Sequence, residues 1–376
     1  MGTDAALTEL MTAKGHEQVV FVADAPSELR AIIAVHSTAL GPSLGGIRFW
    51  RYPSEHDAIV DVLRLSEAMS LKAAAAGLTQ GGGKAVVLVD EPDVPRTDAL
   101  LRAMGRAIDD LGGRYIAAED VGATPHDMQV IASETPWVTG LEGSGGSGDP
   151  SPMTAYGVVQ AMEAVLEELD GDTSLAGKRV VVDGVGHVGS HLARLLAEAG
   201  ARVAVADVNR ERVDLLVQEI GADALPVERA LEEACDILAP CALGGVLNEK
   251  TIPRLQCRAV CGAANNQLAE ATDDDALAER GVLYAPDFVV NAGGIINLAE
   301  EFVGYDRDNA RERTARIADT VRRVLELARN GSVPPGRAAA QLARRRIAEE
   351  GAGHRFRPGD PAAWTNGAPL RTLRPA

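Results

Sequence analysis

No apolar stretch in the 376 residues approaches the ~20 needed to span a bilayer, so no membrane-embedded protein is expected. Basic residues are the minority: 37 Lys and Arg stand against 54 Asp and Glu, a formal net charge of -17. A surface this acidic repels nucleic acid and anionic lipid and makes both poor partners. Cysteine is scarce. Cys235, Cys241, Cys257 and Cys261 form no CxxC pair and read as reduced thiols. The first twenty residues show no charged segment followed by an apolar run and no small-residue cleavage site. No signal peptide is read there, and a cytoplasmic location is expected. There are no internal repeats. Hydrophobic residues nonetheless make up 46 %, enough for a substantial core, and the length suggests two domains.

Patterning varies along the chain. Residues 31–35 read as a short strand, and residues 58–69 carry Ile59, Val62, Leu63 and Leu65 at spacings that suit an amphipathic helix. Residues 85–89 are an apolar run of strand length. Residues 99–111 read as a helix stopped by Gly112 and Gly113, and 114–118 as a strand ending at Glu119-Asp120. The stretch GSGGSGDP at 143–150 has the most flexible composition in the chain and reads as a hinge. Helix resumes over 153–169. Strands are then expected at 179–182, 202–206, 237–239, 259–261 and 282–284, with helical patterns between several of them, the first over 187–199. Such alternation argues for a doubly wound parallel sheet. Two long helices are expected near 309–329 and 336–350, and the tail from Gly351, rich in Pro, Gly and Arg, reads as irregular.

Within the alternating half, an apolar strand runs into Gly184-Val185-Gly186-His187-Val188-Gly189, then a helix, then a second strand ending at Asp207. Gly184 suits a tight turn, Gly186 lets the backbone approach a pyrophosphate, and Gly189 lets helix and strand pack closely. The helix N-terminus supplies free N–H groups for the anion. A carboxylate at Asp207 would accept hydrogen bonds from the adenosine ribose and repel a 2′-phosphate. NAD is therefore favoured over NADP, with Arg210 a partial offset.

His187 and His191 have metal spacing, but no HExxH pattern surrounds them and His187 lies inside the phosphate turn, so no metal is expected. Gly81-Gly82-Gly83-Lys84 superficially resembles a nucleoside-triphosphate loop. It fails, because position 78 is Leu and position 85 is Ala. Lys72 is placed after a helix and before a run of small residues, Lys84 at the start of an apolar strand. Each alone is compatible with a solvated surface lysine. Three successive glycines, however, bring the backbone close to something before Lys84. A lysine confined near another cation has a lowered pKa suited to proton transfer. For Asp120, spacing alone does not choose between a turn carboxylate and a catalytic one.

Several ordered segments carry a resemblance: GPSLGGIRFW (41–50), MSLKAAAAGLTQGGGKAV (69–86), YIAAEDVG (115–122), SPMTAYGV (151–158), the GVGHVG turn, APCALGGVLN (239–248), CGAANNQLAE (261–270) and LYAPDFVVNAGGIINLAEE (283–301). The chain resembles the glutamate/leucine/phenylalanine/valine dehydrogenase family, especially its leucine and valine enzymes. The resemblance implies that Lys72, with Asn265 and the backbone at Gly45 and Gly46, binds the substrate carboxylate. It makes Lys84 the catalytic lysine and Asp120 a general base that holds the amine or ammonia. It places Thr154, Asn265 and Asn291 near the nicotinamide, adds Cys241 and Ala242 to the cofactor site, and brings Arg48 to the cofactor. Leu44, Ala118, Ile295 and Leu298 would line the side-chain pocket. Departures flank the acting residues: Ile47 stands where Thr is common, Leu71 where an aromatic is common, and Ala73 where Asn is common.

The expected protein is thus a two-domain α/β enzyme. An N-terminal α/β substrate domain over 1–148, joined by a C-terminal helix over about 334–376, would be separated by a cleft from a Rossmann NAD-binding domain over 149–333. Its partners would be a branched aliphatic L-amino acid, the 2-oxo acid and ammonium, and it would be a homo-oligomer. The alternatives are an enzyme for phenylalanine or another aromatic amino acid, and a catalytically silent NAD-binding protein.

Overall fold

Branched residues at period two and a few glycines decide how the strands of the N-terminal half pack. The computed structural model describes residues 7–91, 94–143, 145–353 and 356; the remainder of the expected C-terminal tail, and Ser144 of the expected hinge, lie outside the described residues. The chain divides into two units. The first comprises residues 1–149, 298–306 and 343–376; the second comprises 150–297 and 307–342.

In the first unit, α1 (Leu7–Lys14) precedes β1 (Gln18–Asp24), β2 (Leu29–Ser37), β3 (Ser43–Trp50), α2 (Glu55–Ala75), β4 (Gly81–Leu88), α3 (Asp98–Asp109), β5 (Tyr115–Glu119) and α4 (Pro125–Ala132). The strands form one sheet in the order β1-β2-β4-β3-β5. β2 is antiparallel to β1 and β4, and β3 is parallel to β4 and β5. Alternation sends Ile32, Ala34 and Val86 to one face, where they pack against Ala58, Val62 and Leu63 of α2. It sends Ala31, Ile33, Val35, Ala85 and Val87 to the other, against Leu101, Met104 and Ile108 of α3 and Met128 and Ile131 of α4.

Two boundaries differ from the sequence expectation, and both move a lysine. Helix α2 runs on to Ala75, so Lys72 lies in its last turn rather than beyond it. The alanines at 73–75 have high helix propensity and small volume, so they prolong the helix past its last large apolar residue. Strand β4 begins at Gly81, so Lys84 lies mid-strand. The glycines form no loop; they are where neighbours press on the strand. A Cβ at Gly81 would lie 1.9 Å from the Ser37 carbonyl oxygen, and one at Gly82 would lie 2.1 Å from the Ser70 nitrogen of α2. From the facing strand, a Cβ at Gly45 would lie 1.8 Å from the Gly83 carbonyl oxygen.

The second unit opens with α5 (Ser151–Asp170), followed by β6 (Arg179–Asp183), α6 (His187–Glu198), β7 (Arg202–Ala206), α7 (Arg210–Ile220), β8 (Asp223–Ala224), α8 (Val227–Ala230) and β9 (Cys235–Pro240). It continues through β10 (Cys257–Val260), α9 (Asp273–Glu279), β11 (Leu283–Tyr284), α10 (Asp287–Val290) and α11 (Gly293–Ala299). The sheet is wholly parallel, in the order β11-β10-β9-β6-β7-β8. This is the doubly wound arrangement that the alternation predicts. Chain order reverses between β6 and β9, which puts the topological switch point at the carboxyl ends of those strands.

The helix expected near 309–329 is two, α12 (Arg307–Ala315) and α13 (Ile317–Gly331), followed by α14 (Pro335–Glu350). The division follows burial. α12 buries only Ala310 and Thr314, whereas α13 buries Ile317, Val321, Val324, Leu325 and Ala328 along one stripe.

The contact at Gly45 leaves no room for relaxation, because both partners are backbone. Gly45→Ala is expected to lower stability by about 2–3 kcal/mol, read as a lower urea midpoint at unchanged slope. A midpoint equal to that of the unsubstituted protein would refute this packing.

Candidate active site

Strands β3, β4 and β5 end a charged cluster on the face covered by α2. Lys84, only 4 % exposed, places Nζ 2.8 Å from Asp120 Oδ2. Asp120 follows the last residue of β5 and packs on a second glycine: a Cβ at Gly46 would lie 2.5 Å from the Asp120 Cβ. Arg48 of β3 donates from Nε to the same Asp120 oxygen at 3.0 Å and from Nη1 to Asp61 Oδ2 of α2 at 3.1 Å. Asp61 also accepts from the Tyr52 hydroxyl at 2.8 Å and from Arg64 at 3.0 Å. Burial pulls the Lys84 ammonium down from its ordinary value; Asp120 opposes this and Arg48 adds to it. Burial acts on Asp120 in the opposite sense, but Lys84 and Arg48 outweigh it and hold its carboxyl at about 2.

Lys84, Asp120, Arg48 and Gly46 therefore come together in direct contact. The cation beside Lys84, whose kind the sequence required without identifying it, is Arg48. Lys72 is half-buried in the last turn of α2. Leu44 (0 %) and Ala118 (4 %) are buried on neighbouring strands, where Leu44 is paired with Ile116 and Ala118 with Gly46. The Leu298 carbonyl accepts from Thr139 at 3.3 Å. Asp61 and Tyr52, which fix Arg48, were not anticipated. Asp61 on α2 reads as one more solvated helical carboxylate until β3 is placed beside it.

The second unit gathers the other expected residues at the ends of β6, β7, β9 and β10. Gly184 has φ +102°, and a Cβ there would lie 2.6 Å from that of Ala242. A Cβ at Gly189 would lie 1.9 Å from the Gly184 carbonyl oxygen and 3.3 Å from the Cys241 Cβ. Gly186 is open by comparison and caps α6 with no side-chain hydrogen bond. The Val185 N–H donates to Asp207 Oδ2 at 2.7 Å and the Asn209 N–H to Oδ1 at 2.7 Å, so Asp207 ties the turn to the start of α7. Burial and the neighbouring Asp207 push Asp183 up to about 6. Val208 (91 %) and Leu243 (74 %) are exposed apolar side chains following Asp207 and Ala242, and only the placed strand ends single them out.

Thr154 donates to the Pro150 carbonyl at 3.0 Å. Ile295 is buried in α11. Asn291, 5 % exposed, donates to Asn265 Oδ1 at 2.9 Å and to the Ala263 carbonyl at 3.1 Å, while its own Oδ1 is buried with no hydrogen-bond partner among the described residues. An unsatisfied buried acceptor fits a carboxamide donor such as that of nicotinamide. The turn, the uncapped start of α6 and this acceptor together fit a dinucleotide. All four cysteines are free, and burial pushes each thiol well up. Among the described residues, no group of His, Cys, Asp and Glu is arranged to hold a metal ion, and no helix is long and apolar enough to cross a membrane.

Comparison with known proteins gives matches along almost the whole described chain. The family model described as "Glu/Leu/Phe/Val dehydrogenase, dimerisation domain" matches residues 16–137. The model described as "Glutamate/Leucine/Phenylalanine/Valine dehydrogenase" matches residues 145–210 and 205–354. The chain is 48 % identical over 340 residues to a leucine dehydrogenase of Thermoactinomyces intermedius, covering 90 % of this chain and 93 % of that protein. It is likewise 48 % identical over 339 residues to a valine dehydrogenase of Streptomyces virginiae, covering 89 % and 94 %. The solved L-tryptophan dehydrogenase of Nostoc punctiforme superposes with a TM-score of 0.81 at 40 % identity, covering 91 % of this chain and 99 % of that one.

The depressed Asp120 carboxyl gives a stability test with a defined sign. Its contribution is complete above its unfolded value of 3.8 and is lost as pH falls through about 2. Asp120→Asn is expected to cost about 2 kcal/mol at pH 7 and to flatten the loss of stability between pH 4 and pH 2. Urea unfolding across that range checks both, and parallel curves for the two proteins would contradict the pairing.

Proposed function

The chain belongs to the glutamate/leucine/phenylalanine/valine dehydrogenase family, and from that premise we propose that it oxidatively deaminates branched aliphatic L-amino acids with NAD, and runs the reverse reductive amination. The observation that carries the reading is the Lys84–Asp120–Arg48 cluster, a buried lysine meeting two half-buried charges on glycine-thinned strands. In this proposal the first unit is the substrate and catalytic domain and the second binds NAD.

The oxidised nicotinamide, when bound, accepts the hydride that leaves the substrate α-carbon. The rest falls to the protein. Lys72 pairs with the α-carboxylate, helped by the backbone at Gly45 and Gly46 and by Asn265. Lys84, its ammonium destabilised by burial, is neutral often enough to take a proton from the water that adds to the imine carbon. The carbinolamine then collapses by proton exchange through the same group: the Lys84 ammonium gives its proton to the amine nitrogen, and neutral Lys84 takes the hydroxyl proton as the C–N bond breaks, so that 2-oxo acid and ammonia leave and ammonia takes up a proton as ammonium. A carboxyl held at about 2 is a poor proton acceptor at neutral pH. That favours Asp120 as the anion that holds the substrate amine over Asp120 as the principal base. On the cofactor side, Asp207 lies where the ribose hydroxyls would bind. Arg210 is paired with Asp214 at 3.3 Å, which weakens the offset that would have admitted NADP. Thr154, Asn265 and Asn291 serve the nicotinamide, Cys241 and Ala242 the turn beneath the nucleotide. Arg48 acts chiefly through Asp120 and Asp61.

The residues proposed to contact the substrate side chain, Leu44, Ala118 and Leu298 of the first unit and Ile295 of the second, are all apolar. A second substrate carboxylate would have no cation among these residues, at a cost of several kcal/mol, which argues against glutamate. The Nostoc relative at 40 % identity is named for tryptophan, so an aromatic substrate is the competing reading. The bulk of Leu44 and Ile295 favours shorter aliphatic chains. Assembly as a homo-oligomer is part of the proposal, supported by the dimerisation domain that the matched model describes; a cytoplasmic location is proposed with it.

Initial rates of NADH formation over a panel of L-amino acids, with NAD and with NADP, test the assignment. Valine, leucine and isoleucine are expected to lie within about 100-fold of one another and well above glutamate and phenylalanine. Phenylalanine as the best substrate would replace the branched-chain reading with the aromatic one. Lys84→Ala is expected to lower kcat by about 10³-fold while NADH binding stays within about twofold. Retained turnover would remove Lys84 from the chemistry. In the unsubstituted enzyme, deamination should rise with pH through an ionisation below the ordinary lysine value of 10.5, because the neutral amine is the acting form.

A further inference from the structure

The nucleotide turn lies beside a cation that the fold itself does not employ. Arg212 is in the first turn of α7, and its backbone N–H donates to the capping Asn209 Oδ1 at 3.2 Å. Through Asn209 and Asp207, that helix start is tied to the Val185 N–H of the glycine turn. The Arg212 side chain leans back across the turn. A Cβ at Gly186 would lie 3.8 Å from Arg212 Nη1, with no other heavy atom within 4 Å apart from its chain neighbours. Arg212 is exposed, and among the described residues its guanidinium has no carboxylate partner. Nearby arginines are engaged: Arg210 with Asp214, and Arg194 of α6 with Glu219 at 2.7 Å.

We propose that Arg212 is a cofactor-binding residue whose guanidinium closes over the pyrophosphate seated at Gly186 and the start of α6. The inference rests on the NAD-binding reading and adds to it a contact that lies outside the glycine motif. The motif supplies neutral N–H groups from one side only. Arg212 adds a full charge, and a planar fork suited to paired phosphate oxygens, from the other side. With no competing carboxylate it gives up no ion pair in turning to the ligand. The same side chain could instead meet the 2′-phosphate of NADP; this is the same phosphate chemistry from a different source, and binding measurements separate the two.

Equilibrium titrations of the full-length protein with NADH, NADPH and ADP-ribose, for the unsubstituted chain, Arg212→Ala and Arg212→Lys, decide the matter without reference to turnover. Arg212→Ala is expected to weaken NADH and ADP-ribose by a similar factor of about tenfold, less at high salt, with lysine restoring part of the loss. The thermal midpoint without ligand should not move, since the side chain is exposed and unpaired. NADH and ADP-ribose affinities unchanged by Arg212→Ala would overturn the proposal, as would a loss confined to NADPH, which would assign Arg212 to the 2′-phosphate. No dinucleotide binding by the unsubstituted chain would bring down the NAD-binding reading itself; binding there that survives the substitution brings down only the role of Arg212.

Discussion

An ammonium group at 4 % exposure persists inside a protein only where a carboxylate meets it, and the first unit is arranged around that meeting. Lys84 and Arg48 share Asp120, and Arg48 is shared in turn with Asp61, so two cations and two anions alternate across β4, β5, β3 and α2. Charge balance alone would not hold the arrangement. Coulomb energy in a poorly solvated site changes steeply over a few tenths of an ångström, so the spacing of the strands matters as much as their sequence. Glycine sets that spacing. With Gly45 against Gly83, Gly82 against α2 and Gly46 against Asp120, any added methyl group would push apart the elements that bring the charges within 3 Å.

The second unit uses glycine for a different purpose. At Gly184 and Gly189 the missing side chain admits Ala242, Cys241 and the backbone of the turn itself, whereas at Gly186 it leaves open space above the start of α6. Asp207 joins the two uses. Its oxygens accept the N–H groups of Val185 and Asn209, so the carboxylate that would face a ribose also holds the turn in shape. Loss of that side chain would disturb the turn geometry as well as any ribose contact, and an effect on affinity alone would not separate the two.

The alternating half is the most legible from sequence, because its central strands β6, β7 and β9 are buried on both faces and read as short apolar runs between turn signals. The glycine turn between β6 and α6, the carboxylate just after β7 and the parallel doubly wound sheet are legible from the alternating pattern. In the first unit, β1 and β3 do not read as strands from the sequence. β3 carries Gly45, Gly46 and Arg48 in its middle, so only Ile47 and Phe49 are left to show the period of two. The three glycines before Lys84 signal close approach, but they read as lying before the strand, since glycine is normally poor strand material. Lys84 and Asp120 are 36 positions apart in sequence, and only the pairing of β3 with both β4 and β5 brings them together. The resemblance named both residues. Arg48 as the shared cation, Asp61 behind it and Arg212 over the turn are legible only in three dimensions.

This division of labour bears on substrate choice. Every α-amino acid presents the same carboxylate and amine, so in the proposed roles a lysine for one and an aspartate for the other cannot tell substrates apart. Discrimination has to come from apolar contact, where a single methylene is worth only about 1–3 kcal/mol. Similar frames carry relatives named for leucine, valine and tryptophan, as expected if the ion cluster is constant and the lining varies. Ile47, Leu71 and Ala73, which the resemblance marks as departures from the residues usual in the family, stand beside the proposed acting groups. Ile47 is fully buried in the core on the opposite sheet face, and Ala73 is buried in the helix turn that carries Lys72. Neither replaces a charge. Their effect, where they have one, must pass through the position of β3 and of the last turn of α2, and so through the geometry that the glycines already fix.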